Sequence, residues 1–266
     1  MSMMIHAKEK DGTKRARIVT LDELQKCKTP PPLGPHHKPV PHHELVETLL
    51  DGLDDFGFEV TKQELAVGMK RKAKDGNVYS DTTVFGALEV RGRQDTSLGA
   101  KSDDYIRAIG FRSNNTQAMA IRIVAGARVF VCDNLALSGD TPLCNKQHTK
   151  NLDLGWEISE AMEGIVDQGR RFDRMVEQMS DVQLRDRDVE RALCRMFAEK
   201  VLPVRHFHDV HGNYFSPEDG WTDCQPRTAW GFHNAVTRAL KNVPLNKQMD
   251  TTSGVTRFFS QQYDLN

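Results

Sequence analysis

Two runs in which apolar and polar residues alternate, EVTKQELAVGMK from Glu59 and TTVFGALEVRG from Thr82, flank KAKDGN and its Asp75-Gly76 step. Period-two alternation on both sides of an Asp-Gly turn specifies a β-hairpin, because the turn fixes the register and the alternation fixes which face is buried. A chain with this hairpin at its centre is committed to an antiparallel sheet that needs a cover on one face. Upstream, Leu45, Leu49, Leu53 and Phe56, joined by Val46 and Leu50, recur at helical spacing, and Gly57 supplies the stop. Downstream, YIRAIGFR from Tyr105 alternates as a third strand. Asn115 or Thr116 is expected to cap a helix over TQAMAIRIVAG, and ARVFVC from Ala127 to return as a strand.

The second half changes period. Ile158, Met162, Ile165, Phe172, Val176 and Met179 follow a four-three spacing, with Gly169 at the missing position, and predict a long helix packed on another helix. Ser180 to Gln183 can restart a helix that carries Val189, Leu193, Met196, Phe197 and Val201 until Pro203. HFHDVHGNYFSPEDGW from His206 is expected as an irregular loop, TAWGFHNAVTRALK from Thr228 as a last helix, and the residues from Asn242 as a polar tail. The fold class expected is α+β: an antiparallel β-sheet, hairpin plus further strands, packed with helices and followed by a helical C-terminal half. Three segments follow: residues 1–41 as an N-terminal extension with a proline-rich connector, 42–150 as the α+β core, and 151–266 as a mainly helical region packed on it. The extension opens polar and basic. TLDE at Thr20–Glu23 fits a capping box, and TPPPLGPHHKPVPHH reads as an extended, polyproline-like segment.

Composition narrows the function. No apolar run approaches the length of a membrane span, so the protein is expected to be soluble and cytoplasmic in a bacterial host. Five scattered cysteines without a C-x-x-C pair suggest neither a disulfide framework nor a zinc knuckle. The net charge of −1 argues against a simple DNA-coating role, but the charge is unevenly spread. From Lys62 to Lys150 there are fourteen Lys or Arg against nine Asp or Glu, and from Asp153 to Lys200 eight against twelve.

No phosphate-binding glycine loop, nucleophile elbow or dinucleotide fingerprint is present, so nothing requires an enzyme and no cofactor is expected. His206, His208 and His211, with Asp209 between them, form the most metal-like cluster. Asp133 and Asp140 bracket a loop after VFVC, as carboxylates do at strand ends in metal-dependent nucleases. Neither set completes a ligand constellation, and no metal is assigned. The histidines of the connector, His36, His37, His42 and His43, likewise lack an acidic or cysteine partner at ligand spacing. The nucleic-acid candidates are Lys70, Arg71, Lys72 and Lys74 at the hairpin tip, Arg107, Arg112, Arg122 and Arg128 in the central segment with Phe111 to stack on a base, and Lys146 and Lys150 beyond it. The competing explanation is that these arginines pair with Asp103, Asp104, Asp133 and the acidic helices.

GFRSNNTQAMAIRIVAGARVFVCDNLALSGD from Gly110, continued by KQHTKN and later by TAWGFHNAVTRALK, resembles the family called domain of unknown function 932, phage and plasmid-like proteins. The Arg112-Ser113 pair followed by AGARVFVCDNL and SGD carries the resemblance, which spans Val40 to Lys241. A weaker similarity joins the order helix, FGF, hairpin, strand, helix to phage single-strand annealing proteins. The family resemblance implies a phage or mobile-element protein and brings no established activity with it; the basic cluster and the annealing-protein similarity give the expectation of single-stranded DNA binding, with an oligomeric annealing factor as its extension. The alternative is a protein-binding module that inhibits a host defence or restriction system, and a metal-dependent hydrolase using the histidine loop or the Asp133 region is third.

Overall fold

The structure is a computed structural model, and it describes residues 16–68, 71–72, 76–93, 105–129, 134–137, 142–218, 224, 226–240, 243 and 245–265. The strands are β1 (Ala16–Val19), β2 (Phe58–Gly68), β3 (Arg71–Lys72), β4 (Val78–Tyr79), β5 (Thr83–Gly92), β6 (Tyr105–Asn114), β7 (Ile121–Val129), β8 (Asn134–Leu137) and β9 (Cys144–Lys146). The helices are α1 (Leu21–Gln25), α2 (His42–Asp55), α3 (Leu154–Asp181), α4 (Asp186–Ala198), α5 (Phe207–Phe215), α6 (Ala229–Ala239) and α7 (Leu245–Gln262), with a 3-10 turn at Val204–His206. This is the α+β arrangement expected: an antiparallel sheet with helices, then a helical C-terminal half.

The hairpin forms as the alternation requires. β2 and β5 pair antiparallel from Phe58↔Gly92 to Gly68↔Thr83, with a register shift at Thr61. β3 and β4 continue the hairpin as a separate short ladder, and Gly76 takes φ +84° in its turn. The main sheet runs β1-β2-β5-β6-β7-β8, and β9 pairs with the start of β7. Leu65, Val67, Val84, Leu88, Ile109, Phe111, Ile121 and Ile123 point to one face, where Leu45, Val46, Leu49 and Leu53 of α2 and Ile158, Met162 and Ile165 of α3 cover them. Gly86 lies opposite Phe111 in the ladder, and a Cβ at Gly86 would overlap the Phe111 ring. Glycine here is a packing requirement.

Helix α3 links two cores. Its first turns lie on the sheet, while Phe172, Val176 and Met179 join a second cluster with Leu193, Trp230, Phe232, Val236, Val255 and Phe259. Gly57, at φ +78°, ends α2, and its N–H donates to the Asp54 carbonyl at 2.9 Å. Thr20 and Glu23 make the expected capping box at α1.

Four local expectations need correction. The segment TQAMAIRIVAG is a turn followed by β7, not a helix. The Asn114 side chain accepts from Thr116 N, Thr116 Oγ1 and Ala118 N at 2.9, 2.8 and 3.0 Å, and Gln117 takes φ +59°, so the chain reverses. The β-branched Ile123 and Val124 then pair with β6, and Ile121 with β9. Ser180 starts no helix: it sits in α3 with its hydroxyl donating to the Val176 carbonyl at 2.8 Å, and α4 begins at Asp186 with the Asp188 carboxylate turned back to Arg185 N. The histidine segment is α5, entered through Pro203 and held by buried Val210 and Tyr214. The tail contains α7, whose buried Thr252, Val255, Thr256 and Phe259 lie at i, i+3, i+4 and i+7.

The proline-rich connector has almost no regular structure, as its composition dictates, yet it is docked. His37 bridges Thr149, Lys38 N donates to the His148 carbonyl at 3.2 Å, and Val40 N donates to Asn115 Oδ1 at 3.0 Å. His37 Nδ1 accepts from Leu33 N at 2.9 Å, His42 Nε2 donates to the Asp81 carbonyl at 2.8 Å, and Ser113 Oγ meets His148 Nε2 at 2.9 Å. His37, His42 and His148 are buried, and burial pushes His42 and His148 down to about 4.

Two measurements follow from this packing. Gly86→Ala is expected to lower stability in urea by about 1–3 kcal/mol through overpacking against Phe111; an unchanged midpoint would show that the ring is not fixed there. The histidines are neutral in the folded chain and titrate near about 6.5 when unfolded, so the unfolded state takes up protons first. Their stabilisation is complete above that value and is lost as pH falls towards 4. The urea midpoint is therefore expected to drop between pH 6.5 and 4, and less steeply in His148→Asn; a flat midpoint over that range contradicts the neutral network.

Candidate functional site

Alternation along β6 decides where the arginines go. Arg107, Ile109, Phe111 and Ser113 share one face, while Ala108, Gly110 and Arg112 share the other. Arg107 therefore stands on the side covered by α3. Its guanidinium crosses α3 at Gly169, where a Cβ would collide with it, and bonds the Asp173 carboxylate. Gly169 thus accounts for the gap in the helix seam: a larger residue there would displace the guanidinium.

Arg112 and Arg122 are directly opposed across the β6–β7 ladder on the other face. Both converge on Asp250 of α7. Arg112 donates through Nη1 and Nη2 at 2.7 and 3.1 Å, and Arg122 donates through Nη1 at 2.5 Å. The arginine side chains are 12% and 19% exposed and the carboxylate is 50% exposed. Burial lowers the Arg122 pKa, Asp250 opposes that shift, and Arg112 and Arg257 add to it. Arg122 Nε is buried without a hydrogen-bond partner among the described residues. Val124, the next residue on this face of β7, meets Met249, the residue before Asp250.

The remaining candidates separate. Arg128 stands at the same strand parity as Arg122, paired with Ile106 and Leu135. Arg71 and Lys72 form β3, at the end of the hairpin, whereas Lys70 and Lys74 lie outside the described residues. Lys146, on β9, pairs with Glu157 at 2.9 Å, which raises its pKa. Lys150 is exposed, with its backbone N–H donating to the His36 carbonyl at 3.0 Å. Phe111 is 1% exposed beneath the sheet, so in this fold it offers no ring to a base. Trp156, 69% exposed at the start of α3 and next to the Glu157 that holds Lys146, is a surface aromatic that no periodicity in the sequence singled out.

The expected pairing with an acidic helix is observed for Arg107 with α3, whereas Arg112 and Arg122 pair with Asp250 of α7, outside the acidic segment. The acids are Asp173 and Asp250; Asp103, Asp104 and Asp133 lie outside the described residues, as does Asp140. The sequence could not find Asp250, which lies 138 residues from Arg112 in a segment that reads as a polar tail.

Among the described residues, no group of three or more His, Cys, Asp or Glu is placed to hold a metal ion. On α5, the His211 ring packs against Phe215 with centroids 4.5 Å apart, and His206 is buried beside Arg205. No helix among the described residues is long and apolar enough to cross a membrane.

No curated protein and no solved structure matches the chain, and the element order that suggests single-strand annealing proteins lacks its closing helix, because TQAMAIRIVAG forms a turn and β7. The profile of the family described as Domain of unknown function (DUF932) matches residues 34–260, which takes in the docked half of the connector, the sheet, the arginine pair, the histidine helix and most of α7. The chain belongs to the DUF932 family.

Proposed function

We propose that the protein binds single-stranded DNA, with an oligomeric annealing factor as the fuller form of this reading. The observation that supports it most is the Arg112–Arg122 pair: two guanidinium groups, adjacent across a rigid ladder, already oriented on one anion at the sheet surface. Guanidinium forks of this kind suit phosphate as well as carboxylate, and a β-ladder fixes them with little further loss of side-chain freedom. The antiparallel tip at Arg71–Lys72 and the exposed Lys150 add basic positions around the sheet. Trp156 supplies an exposed ring of the kind on which a base stacks.

The test is fluorescence anisotropy with a labelled oligothymidylate at low salt, where phosphate contacts are strongest. Binding that weakens as salt rises is expected. Arg112→Ala with Arg122→Ala should lower affinity by about tenfold and make the salt dependence shallower, since two phosphate contacts are removed. Absence of binding at low salt, by protein whose thermal melt shows it folded, contradicts the reading.

A further inference from the structure

We infer that the first half of α7, Leu245–Ser253, is a displaceable strap over a phosphate site formed by Arg112 and Arg122, with Asp250 standing where the phosphate of a bound strand would sit. This rests on the proposed DNA binding and adds the site's ligand chemistry and its control.

The two halves of α7 are held differently. Beyond Gly254, Val255, Phe258 and Phe259 are buried in the helical core at 0%, 4% and 0% exposure. Before Gly254, Met249 meets Val124 in a small apolar cluster separate from both large ones. Between them runs a polar seam. Thr252, Ser253 and Thr256 are buried, Thr256 Oγ1 meets His233 Nε2 at 3.2 Å, and Ser253 Oγ has no partner among the described residues. Gly254 sits at the junction, and a side chain there would meet nothing within 4 Å. Packing therefore does not demand glycine, while glycine inside a helix weakens it locally.

The ion cluster has the matching asymmetry. The arginines are largely buried and need an anion, whereas Asp250 is half exposed and can return to water at small cost. Replacing one carboxylate by one phosphodiester leaves the charge at the pair unchanged, so the exchange is a competition between two singly charged anions.

Two variants of the full chain push the equilibrium in opposite directions. Asp250→Asn keeps the shape of the plug and removes its charge, and it is expected to bind labelled oligothymidylate about fivefold more tightly than the parent. It should also bind inorganic tripolyphosphate in calorimetry under conditions where the parent does not. Gly254→Ala stiffens the helix and is expected to bind the oligonucleotide about threefold more weakly. Amide exchange in Leu245–Ser253 should accelerate when the parent binds the oligonucleotide. If the parent binds but neither variant differs from it and exchange is unchanged, the strap is refuted and DNA binding stands. If neither the parent nor Asp250→Asn binds DNA, the DNA reading falls; tripolyphosphate binding by Asp250→Asn would then still support the strap, and its absence would overturn it.

Discussion

A guanidinium group held against a protein interior must keep an anion beside it, and in this fold that requirement ties the helical half of the chain to the sheet. Strand alternation sends Arg107 to one face of β6 and Arg112 to the other, so each demands a carboxylate from a different direction. Asp173 of α3 answers the first and Asp250 of α7 answers the second, together with Arg122. One helix is fixed on each side of the sheet by a charge pair as well as by packing.

The consequences extend along α3. This helix contributes Ile158, Met162 and Ile165 to the sheet core and Phe172, Val176 and Met179 to the helical core, with the Arg107–Asp173 pair at the crossing. Gly169 makes that crossing possible by leaving space for the guanidinium. On the opposite edge, the RSNNT residues after Arg112 use their side chains rather than a helix to reverse the chain. Asn114 builds the turn, and Ser113 and Asn115 receive the connector through His148 and Val40. The proline-rich segment thus gains order from buried polar contacts, because its own backbone cannot form a ladder.

Local chemistry was legible in the sequence where it decides the outcome. The β2–β5 hairpin, the Thr20–Glu23 capping box, the Gly57 stop and the α3 seam all depend on neighbours within a few residues, and all are present; Asp75 lies outside the described residues. TQAMAIRIVAG reads as a helix because its small and unbranched residues favour one, while the competing Asn114 turn and the pairing with β6 act from outside the segment. The histidine helix and α7 were hidden by polar residues between their core positions, although Val210 with Tyr214 and Val255 with Phe259 carry helical spacing. The candidate site was half legible: the arginines stand out in the sequence, but their acidic partners lie 66 and 138 residues away, a pairing that only the folded chain makes.

The arginine pair anchors α7 through Asp250, and in the proposed reading it becomes a phosphate site when α7 yields. Through these contacts Asp250 should be energetically coupled to the pair. A double-mutant cycle in urea unfolding, with Arg122→Ala, Asp250→Asn and the combination, measures that coupling directly. Coupling of about 1 kcal/mol or more is predicted for such a partly buried pair. Strictly additive effects would show that the carboxylate neither holds α7 to the sheet nor occupies the arginines.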